Sequence, residues 1–456
     1  MRGFFSRIAG IATLSLRSSL RTRTVAALLV LLLATVLFLP RLIHGDGTAS
    51  GELKILLSYT LGFAFGILAL SSLWSACSLF AAEIDTSRIQ LTIVKPVRKW
   101  ELWLGRWIAL LLLNALALAA VDGGIYAQVR WRFSGNDALE YPTSQYVVRP
   151  VLPTVAESAL QAYNMLAAES ALPTNLTKRA ILRALEQKES ERYDVINPGD
   201  AVGWDFTLDH PIRFGDLLTV RLKFDTEFST REHIQGECVL SSQDCPGLAV
   251  QVELDDFTQN EILFSVDTGE LPKLESGRGV DATALPEWLS RFRLDFRNKM
   301  NAKRGGVIMT RFRRDVALLT PGGTFGGNLF RSALVHLCVL GVLSAFGLTL
   351  SACLSLPVAA FTATVLLSLC MVGNAVVKVV SQEDEEDWRN MPGIWISRAV
   401  NRTTTNVLPQ SPLSMLTANE RVGLDYLAAV AGWDLLVLPG FLMIFGCYVL
   451  SRREIG

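Results

Sequence analysis

The chain has 456 residues, of which 50% are hydrophobic and 19% are charged. Together with the low charged share, a positive mean hydropathy of +0.33 predicts an α-helical membrane protein rather than an ordinary soluble globular one. The 43 basic and 43 acidic side chains cancel to a formal net charge of zero, and we expect no nucleic-acid partner.

Six apolar runs are long enough to cross the roughly 30 Å hydrocarbon core of a bilayer, which takes about 20 helical residues. We therefore predict six transmembrane helices in two groups of three, the first within residues 24–129 and the second within residues 328–456. The runs occupy residues 24–43, 55–82, 107–127, 329–351, 358–380 and 427–450.

Basic residues set the predicted orientation, because short loops rich in Lys and Arg stay in the cytoplasm. Such residues concentrate in the tail before the first span, in the loop between the second and third spans, and at Arg452 and Arg453. We therefore expect a multi-pass cell-membrane protein whose N- and C-termini are both cytoplasmic.

Two interpretations fit residues 1–23. A basic start followed by an apolar core is typical of a cleavable signal peptide. Alternatively, Phe4, Ile8 and Ile11 fall on one helical face, which predicts a cytoplasmic amphipathic helix on the inner membrane surface. We favour the amphipathic helix because the basic region is long and patterned.

Residues 130–327 are predicted to form an extracytoplasmic soluble domain. Apolar residues spaced three and four apart predict helices over residues 155–172 and 176–189. After Pro198, alternating runs rich in β-branched and aromatic residues predict an antiparallel sheet in the form of a β-sandwich. With the preceding helices, this predicts an α+β domain. These runs begin at Val202, Leu217, Gly247, Glu261, Gly305 and Asp315.

The span count also places the loop at residues 381–426 outside the membrane. Its Trp388 and Trp395 fit a segment at the headgroup level, whereas its acidic run fits a plain solvated loop equally well. Two acidic residues, Asp122 and Asp434, fall within the outer halves of predicted spans. We interpret both as interface residues solvated at the outer surface.

Cys238 and Cys245 are the two cysteines of the predicted outer domain. In an oxidising compartment we expect a disulfide between them, with two free or buried thiols as the alternative. A lone C-x6-C pair lacks the second pair of ligands that a zinc site needs, so we expect no metal.

No motif of an enzyme is recognisable in the chain. A GxxxxGK[ST] phosphate loop and the HExxH, GxSxG and CxxC patterns are all absent from the sequence. We therefore expect that the chain is not an enzyme, has no catalytic residues and binds no cofactor.

The loop between the second and third spans carries the main functional signal. Acidic residues come first, an apolar stretch follows, and a proline precedes a basic cluster. Acid at its start and base at its end suit a helix dipole, and the proline ends such a helix. An ordinary positive-inside loop explains the basic residues but not this order. The residues are Glu83, Asp85, Arg88, Lys95, Pro96, Arg98, Lys99 and Arg106.

This loop resembles that of the membrane subunits of ABC-2 type transporters. In that family a Glu follows the second span, a short helix leads to a Pro-Val-Arg turn, and a Leu-Gly-basic segment opens the third span. The six spans and the basic start also fit the family, whereas the large insert exceeds its usual small outer loop. The matching residues are Glu83, Lys95, Pro96, Val97, Arg98, Leu104, Gly105 and Arg106.

The resemblance implies the permease subunit of an ABC exporter. A separate ABC ATPase subunit would act on the loop, and a second permease subunit, identical or paralogous, would complete a dimeric pathway through the lipid bilayer. Two alternatives from other classes remain open. One is a non-transporting membrane sensor or mechanical transmitter with an extracytoplasmic domain, and the other is a secondary transporter.

Overall fold

The computed structural model describes most of the chain. Its residues divide into two compact units, a helical unit formed by Met1–Ser144 with Gly323–Gly456, and a strand-rich unit formed by Gln145–Gly322. The described residues are 2–21, 23–42, 49–85, 98–134, 143–169, 177–190, 192–226, 233–244, 249–258, 260–268, 287–300, 306–365, 367–368 and 412–452.

The helices are numbered in chain order. They are α1 (Arg2–Arg21), α2 (Arg23–Leu42), α3 (Ala49–Leu56), α4 (Gly62–Asp85), α5 (Lys99–Ser134), α6 (Val155–Ala168), α7 (Lys178–Ser190), α8 (Phe312–Asp315), α9 (Phe325–Cys353), α10 (Leu356–Val365), α11 (Pro412–Thr417), α12 (Leu424–Ala431) and α13 (Leu438–Arg452). Two π-helical turns, Leu57–Leu61 and Gly432–Val437, join α3 to α4 and α12 to α13.

The strands are likewise numbered in chain order. They are β1 (Thr143–Val148), β2 (Asp194–Ile196), β3 (Ala201–Arg213), β4 (Leu217–Lys223), β5 (His233–Ser242), β6 (Ala249–Phe257), β7 (Glu261–Asp267), β8 (Trp288–Asn298), β9 (Ile308–Thr310) and β10 (Val316–Thr324).

Several long apolar helices are compatible with a membrane-embedded protein. Within the described part of the chain, four helical stretches are long and apolar enough to cross a bilayer, and a fifth arises if the bent pair α1–α2 counts as one span. The apolar helix α10 is shorter than a span, and residues 369–380 of the predicted fifth span lie outside the described residues. The four stretches are Leu53–Leu79, Lys99–Arg132, Phe325–Cys353 and Leu424–Arg452.

Three helices of the helical unit are joined by buried polar side chains. Asn114 of α5 donates from Nδ2 to Ser72 Oγ of α4 at 2.9 Å and to Ser344 Oγ of α9 at 3.2 Å. The two serine oxygens lie 2.8 Å apart. Hydrogen bonds between helices in an apolar environment contribute about 1 kcal/mol each and fix which residues face one another. This triad therefore sets the registry of α4, α5 and α9.

Close backbone packing reinforces that registry between α4 and α9. A Cβ added to Gly347 would lie 2.7 Å from Ala76 Cβ and 2.9 Å from the Leu73 carbonyl oxygen. Small residues allow helix backbones to approach in this way, which compensates for the absence of a hydrophobic driving force between helices in lipid.

The strand-rich unit confirms the predicted antiparallel sheet. One four-stranded sheet has the order β1-β10-β4-β7, the other has the order β3-β8-β5-β6, and β2 pairs with β9. Apolar residues of both four-stranded sheets, including Leu222, Val316, Phe206 and Phe296, belong to one buried cluster. Along β3 buried and exposed residues alternate, as expected for a strand with one face on the core.

The helices of this unit match the predicted positions closely. A capping box starts α6, because Thr154 N donates to Glu157 Oε2 at 2.8 Å and Glu157 N donates to Thr154 Oγ1 at 3.2 Å. Hydrogen bonds to the Glu157 carboxylate from the backbone N–H and the side chain of Thr154 lower the pKa of Glu157 below its usual value. The predicted runs missed β1, β2, β5 and β8. Of these, β8 pairs with both β3 and β5 and so lies inside its sheet.

Asp244 joins the end of β5 to the start of β8. Its Oδ2 accepts hydrogen bonds from Ser290 N at 2.6 Å, Ser290 Oγ at 2.9 Å and Arg291 N at 2.8 Å, and its Oδ1 accepts from Arg291 Nε at 2.9 Å. Burial raises the pKa of Asp244, but these hydrogen bonds outweigh it and lower the pKa to about 2.

We predict that Asp244→Asn lowers the free energy of unfolding by about 1–3 kcal/mol, because an amide cannot accept all of these charge-assisted hydrogen bonds. Since the folded pKa of Asp244 is depressed to about 2, its stabilisation is fully present above about pH 4 and is lost as the pH falls toward 2. Thermal unfolding of the full chain in detergent, followed by tryptophan fluorescence between pH 7 and pH 2.5, measures both effects.

Asp209→Asn is the matched control, since Asp209 is an exposed carboxylate on β3. This control should unfold like the wild type at every pH. An Asp244→Asn variant as stable as the wild type at pH 7 would contradict the role given to Asp244.

Candidate functional site

The predicted coupling loop falls partly within the described residues. Arg88, Lys95 and Pro96 lie outside them. Glu83 and Asp85 belong to the last turn of α4, while Arg98 and Lys99 mark the beginning of α5. The part of the site with described geometry is therefore residues 98–107, which we call the α5 start.

The first turn of α5 is closed by Glu101. Its Oε2 accepts a hydrogen bond from Arg98 N at 3.3 Å, while Glu101 N and Leu102 N donate to the Arg98 carbonyl oxygen at 3.0 and 3.2 Å. A carboxylate in the first turn also interacts favourably with the helix dipole. The helix thus begins directly after Arg98, where the loop ends.

An ion pair links the α5 start to α1. Arg7 Nη2 donates to Glu101 Oε1 at 2.9 Å, and the Glu101 side chain is 2% exposed whereas that of Arg7 is 46% exposed. A buried carboxylate without a cationic partner is strongly destabilising. Arg7 therefore anchors α1 at this position.

Gly105 allows α1 to lie directly against α5. A Cβ at this position would lie 2.8 Å from Ile11 Cγ2 and 3.3 Å from the Ile8 carbonyl oxygen. The added Cβ would also lie 2.9 Å from Ile11 Cβ, an atom attached directly to the backbone of α1. A side chain at position 105 could therefore be accommodated only if α1 moved. The glycine that matches the family pattern thus has a packing role, and α1 buries Ile8 and Ala12 here.

Two basic residues of the α5 start extend its contacts to other helices. Arg106 is 2% exposed, and its Nη1 donates to the Leu79 carbonyl oxygen of α4 at 3.5 Å. Lys99 Nζ donates to the Leu450 carbonyl oxygen of α13 at 3.1 Å. Arg106 is therefore part of the packed interior of the helical unit.

Two tryptophans complete the α5 start. The rings of Trp103 and Trp107 stack with centroids 6.2 Å apart, and Trp107 Nε1 donates to the Gly341 carbonyl oxygen of α9 at 2.9 Å. Gly446 of α13 packs against Trp103, since a Cβ there would lie 3.3 Å from Trp103 Nε1. The α5 start thereby contacts α1, α4, α9 and α13.

Sequence reasoning missed several of these residues. Glu101, Trp103, Trp107 and Arg7 were not singled out, because nothing local shows which helices they face. One available signal was a Glu three residues after Arg98, at the spacing of a capping residue. Another was the pair of tryptophans four residues apart, which places both on one helical face.

The two acidic residues within spans are buried, so the expectation that they are solvated at the outer surface is wrong. Asp122 of α5 is 9% exposed and Asp434, in the π-helical turn before α13, is 6% exposed. Helix packing produces this burial, because Asp122 lies on the face of α5 near α9 and α9 packs beside the α12–α13 segment.

The predicted disulfide stays a prediction. Cys238 lies on β5 within the core of the strand-rich unit and forms no disulfide with any described residue. Cys245 lies outside the described residues. Burial and the neighbouring Glu237 charge raise the pKa of Cys238 to about 12, so a free thiol at this position would react slowly.

The described residues offer no constellation for metal binding, since no group of three or more His, Cys, Asp or Glu side chains is arranged to hold an ion among them. No protein-family model matches the chain, and no curated protein sequence matches it.

We predict that Arg7 and Glu101 are energetically coupled. Arg7→Met should lower the free energy of unfolding in the wild-type background but have little effect in a Glu101→Gln background, giving a coupling energy of about 0.5–3 kcal/mol. Thermal unfolding of the four variants in detergent completes this double-mutant cycle. Arg17→Met serves as the control, because Arg17 is an exposed arginine on the same helix. Strictly additive effects would show that the ion pair does not hold α1 in place.

Proposed function

We propose that this chain is the transmembrane permease subunit of an ABC-2 type ABC transporter, acting as an exporter. A separate ATPase drives it by acting on the loop between the second and third spans. In this proposal the chain has six spans arranged three plus three with cytoplasmic termini, so the loop would lie at the inner face. The resemblance of the loop to the family pattern supports the proposal.

The observation that carries the proposal is the position of the α5 start. It follows the loop directly and contacts four helices. Glu101 and Gly105 contact α1, and Arg106 contacts α4. Trp107 contacts α9, and Lys99 contacts α13. Coupling between sites needs a packed element whose arrangement both sites can bias. A displacement of the loop by an ATPase would be passed to those four helices through these buried contacts.

The same proposal explains what the chain lacks. Its sequence contains no phosphate loop, so the energy for transport comes from the partner subunit. Six helices enclose little space, and a second permease subunit, identical or paralogous, would line the pathway with this one.

A second candidate is a non-transporting sensor or mechanical transmitter. The strand-rich unit favours it, because Gln145–Gly322 has its own apolar core and forms a compact unit separate from the helices. A domain of this size outside the membrane can bind a ligand by itself. In that case a signal rather than cargo would cross the bilayer.

We expect the purified chain to lack ATPase activity and to form a complex with an ABC ATPase encoded beside it. Glu83→Gln and Pro96→Ala should lower the stimulation of that ATPase by the permease at least about tenfold, a loss of about 1.4 kcal/mol in coupling. Both variants should keep the wild-type thermal unfolding midpoint. ATP hydrolysis in proteoliposomes measures the stimulation, and Asp209→Asn in the outer domain is the control.

Two results would overturn the proposal. One is failure of the chain to co-purify with any nucleotide-binding protein. The other is labelling of cysteines introduced between residues 88 and 99 by a membrane-impermeant maleimide added from outside intact cells. A complex that hydrolyses ATP but moves no solute would instead favour the sensor.

A further inference from the structure

A cavity of about 630 Å³ lies between α5 and α9 in the helical unit. Its lining is mainly apolar and includes Leu118, Leu329, Phe330, Leu334 and Leu337. Cavities that bind small molecules typically measure about 300–1,000 Å³ and combine apolar walls with a few polar groups. The size and lining of this cavity therefore suit a largely apolar molecule.

Asp122 is the one charged residue among the described residues that line the cavity. Asp122 is 9% exposed, and its Oδ2 atom is buried without a hydrogen-bond partner among the described residues. A buried charge without a partner is unfavourable, and ionisable residues within spans commonly mark binding sites. The carboxylate is the group around which a ligand would be organised.

An aromatic ring lies on the same face of α5. Tyr126 follows Asp122 by four residues, a spacing that places both side chains side by side on a helix, and both line the cavity. The Tyr126 ring packs against the start of α9, where a Cβ on Gly326 would lie 2.9 Å from Tyr126 Cε2. A carboxylate next to an aromatic ring is a favourable setting for an organic cation.

The N-terminus of α9 also borders the cavity, through Gly326 and Gly327. Gly327 N donates to Thr324 Oγ1 at 3.3 Å, and no hydrogen bond from α9 reaches Asp122 Oδ2 within the described chain. The start of α9 therefore lines the site without satisfying this oxygen of Asp122.

We propose that this cavity is a binding subsite for an amphiphilic organic cation. The cationic group pairs with Asp122 beside Tyr126, and the apolar part lies against the leucines and Phe330 of the lining. If the chain is an exporter, as proposed above, this subsite names its substrate class. Binding itself requires only this chain.

The test uses the full chain in nanodiscs of phosphatidylcholine, without ATP or a partner subunit. Tetraphenylphosphonium is the probe, and tetraphenylborate, which has nearly the same size and shape but the opposite charge, is the matched control. Equilibrium dialysis measures binding after subtraction of the amount that partitions into protein-free nanodiscs. We expect the cation to bind at least about tenfold more tightly than the anion.

Variants assign the binding to the carboxylate. Asp122→Asn, which keeps the size and removes the charge, should weaken cation binding at least about tenfold, while Asp122→Glu should retain it. Asp434→Asn removes another buried carboxylate that does not line this cavity and should leave binding unchanged. Gel-filtration profiles and unfolding midpoints identify any variant that fails to fold. If Asp122→Asn is such a variant, the comparison of tetraphenylphosphonium with tetraphenylborate on the wild-type chain still tests the subsite.

The outcomes separate this inference from the proposed function. Equal binding of cation and anion, or cation binding unaffected by Asp122→Asn, would overturn the subsite even if an ATPase partner is found. Absence of a partner would leave the binding result unchanged. Competition by phosphatidylethanolamine in the nanodiscs would assign the cationic group to a lipid amine headgroup, whereas absence of competition would assign it to a free amphiphile; both results support the subsite.

Discussion

The packing of the helical unit depends most on the buried carboxylate of Glu101. This one side chain closes the first turn of α5 and pairs with Arg7 of α1. Because an unpaired buried carboxylate is costly, the end of the loop, the start of α5 and the position of α1 are fixed together. Gly105, Lys99 and Arg106 add contacts to α1, α13 and α4 around this point.

The polar groups buried elsewhere in the helical unit show why Asp122 stands out. Asn114, Ser72 and Ser344 satisfy one another across three helices. Trp107 Nε1 donates a hydrogen bond to the Gly341 carbonyl oxygen on α9. Asp122 keeps one buried oxygen without a described partner, and it does so at the wall of a large apolar cavity. Thr60 Oγ1, Trp103 Nε1, Gln128 Oε1 and Asn419 Oδ1 of the same unit are also buried without a described partner. Among these five groups, Asp122 is the carboxylate and the one that lines the cavity, which is why we assign a binding role to it alone.

In the strand-rich unit, local alternation of apolar and polar residues predicts some strands but not others. Alternating runs correctly predicted β3, β4, β6, β7 and β10, since each has one face on the core. Strands β5 and β8 were missed although they occupy the middle of a sheet. In β8, charged residues such as Arg291, Arg293 and Asp295 alternate with Phe292, Leu294 and Phe296, and these charges pair within the strand or with residues of neighbouring segments. The alternation of β8 can be read in the sequence, but the ion pairs that accommodate its charges exist only in the folded sheet.

The sequence by itself determined the long apolar helices, of the length that a membrane-spanning protein needs, and the antiparallel β-rich insert, because both features follow from short-range periodicity and apolar length. Only the tertiary structure decided that Glu101 and Arg106 are buried, that Asp122 and Asp434 are not at the solvated surface, and that Gly105 receives α1. The physical reason is distance along the chain. Arg7 and Glu101 are 94 residues apart, and Asn114 and Ser344 are 230 apart, so their contacts exist only after the helices pack.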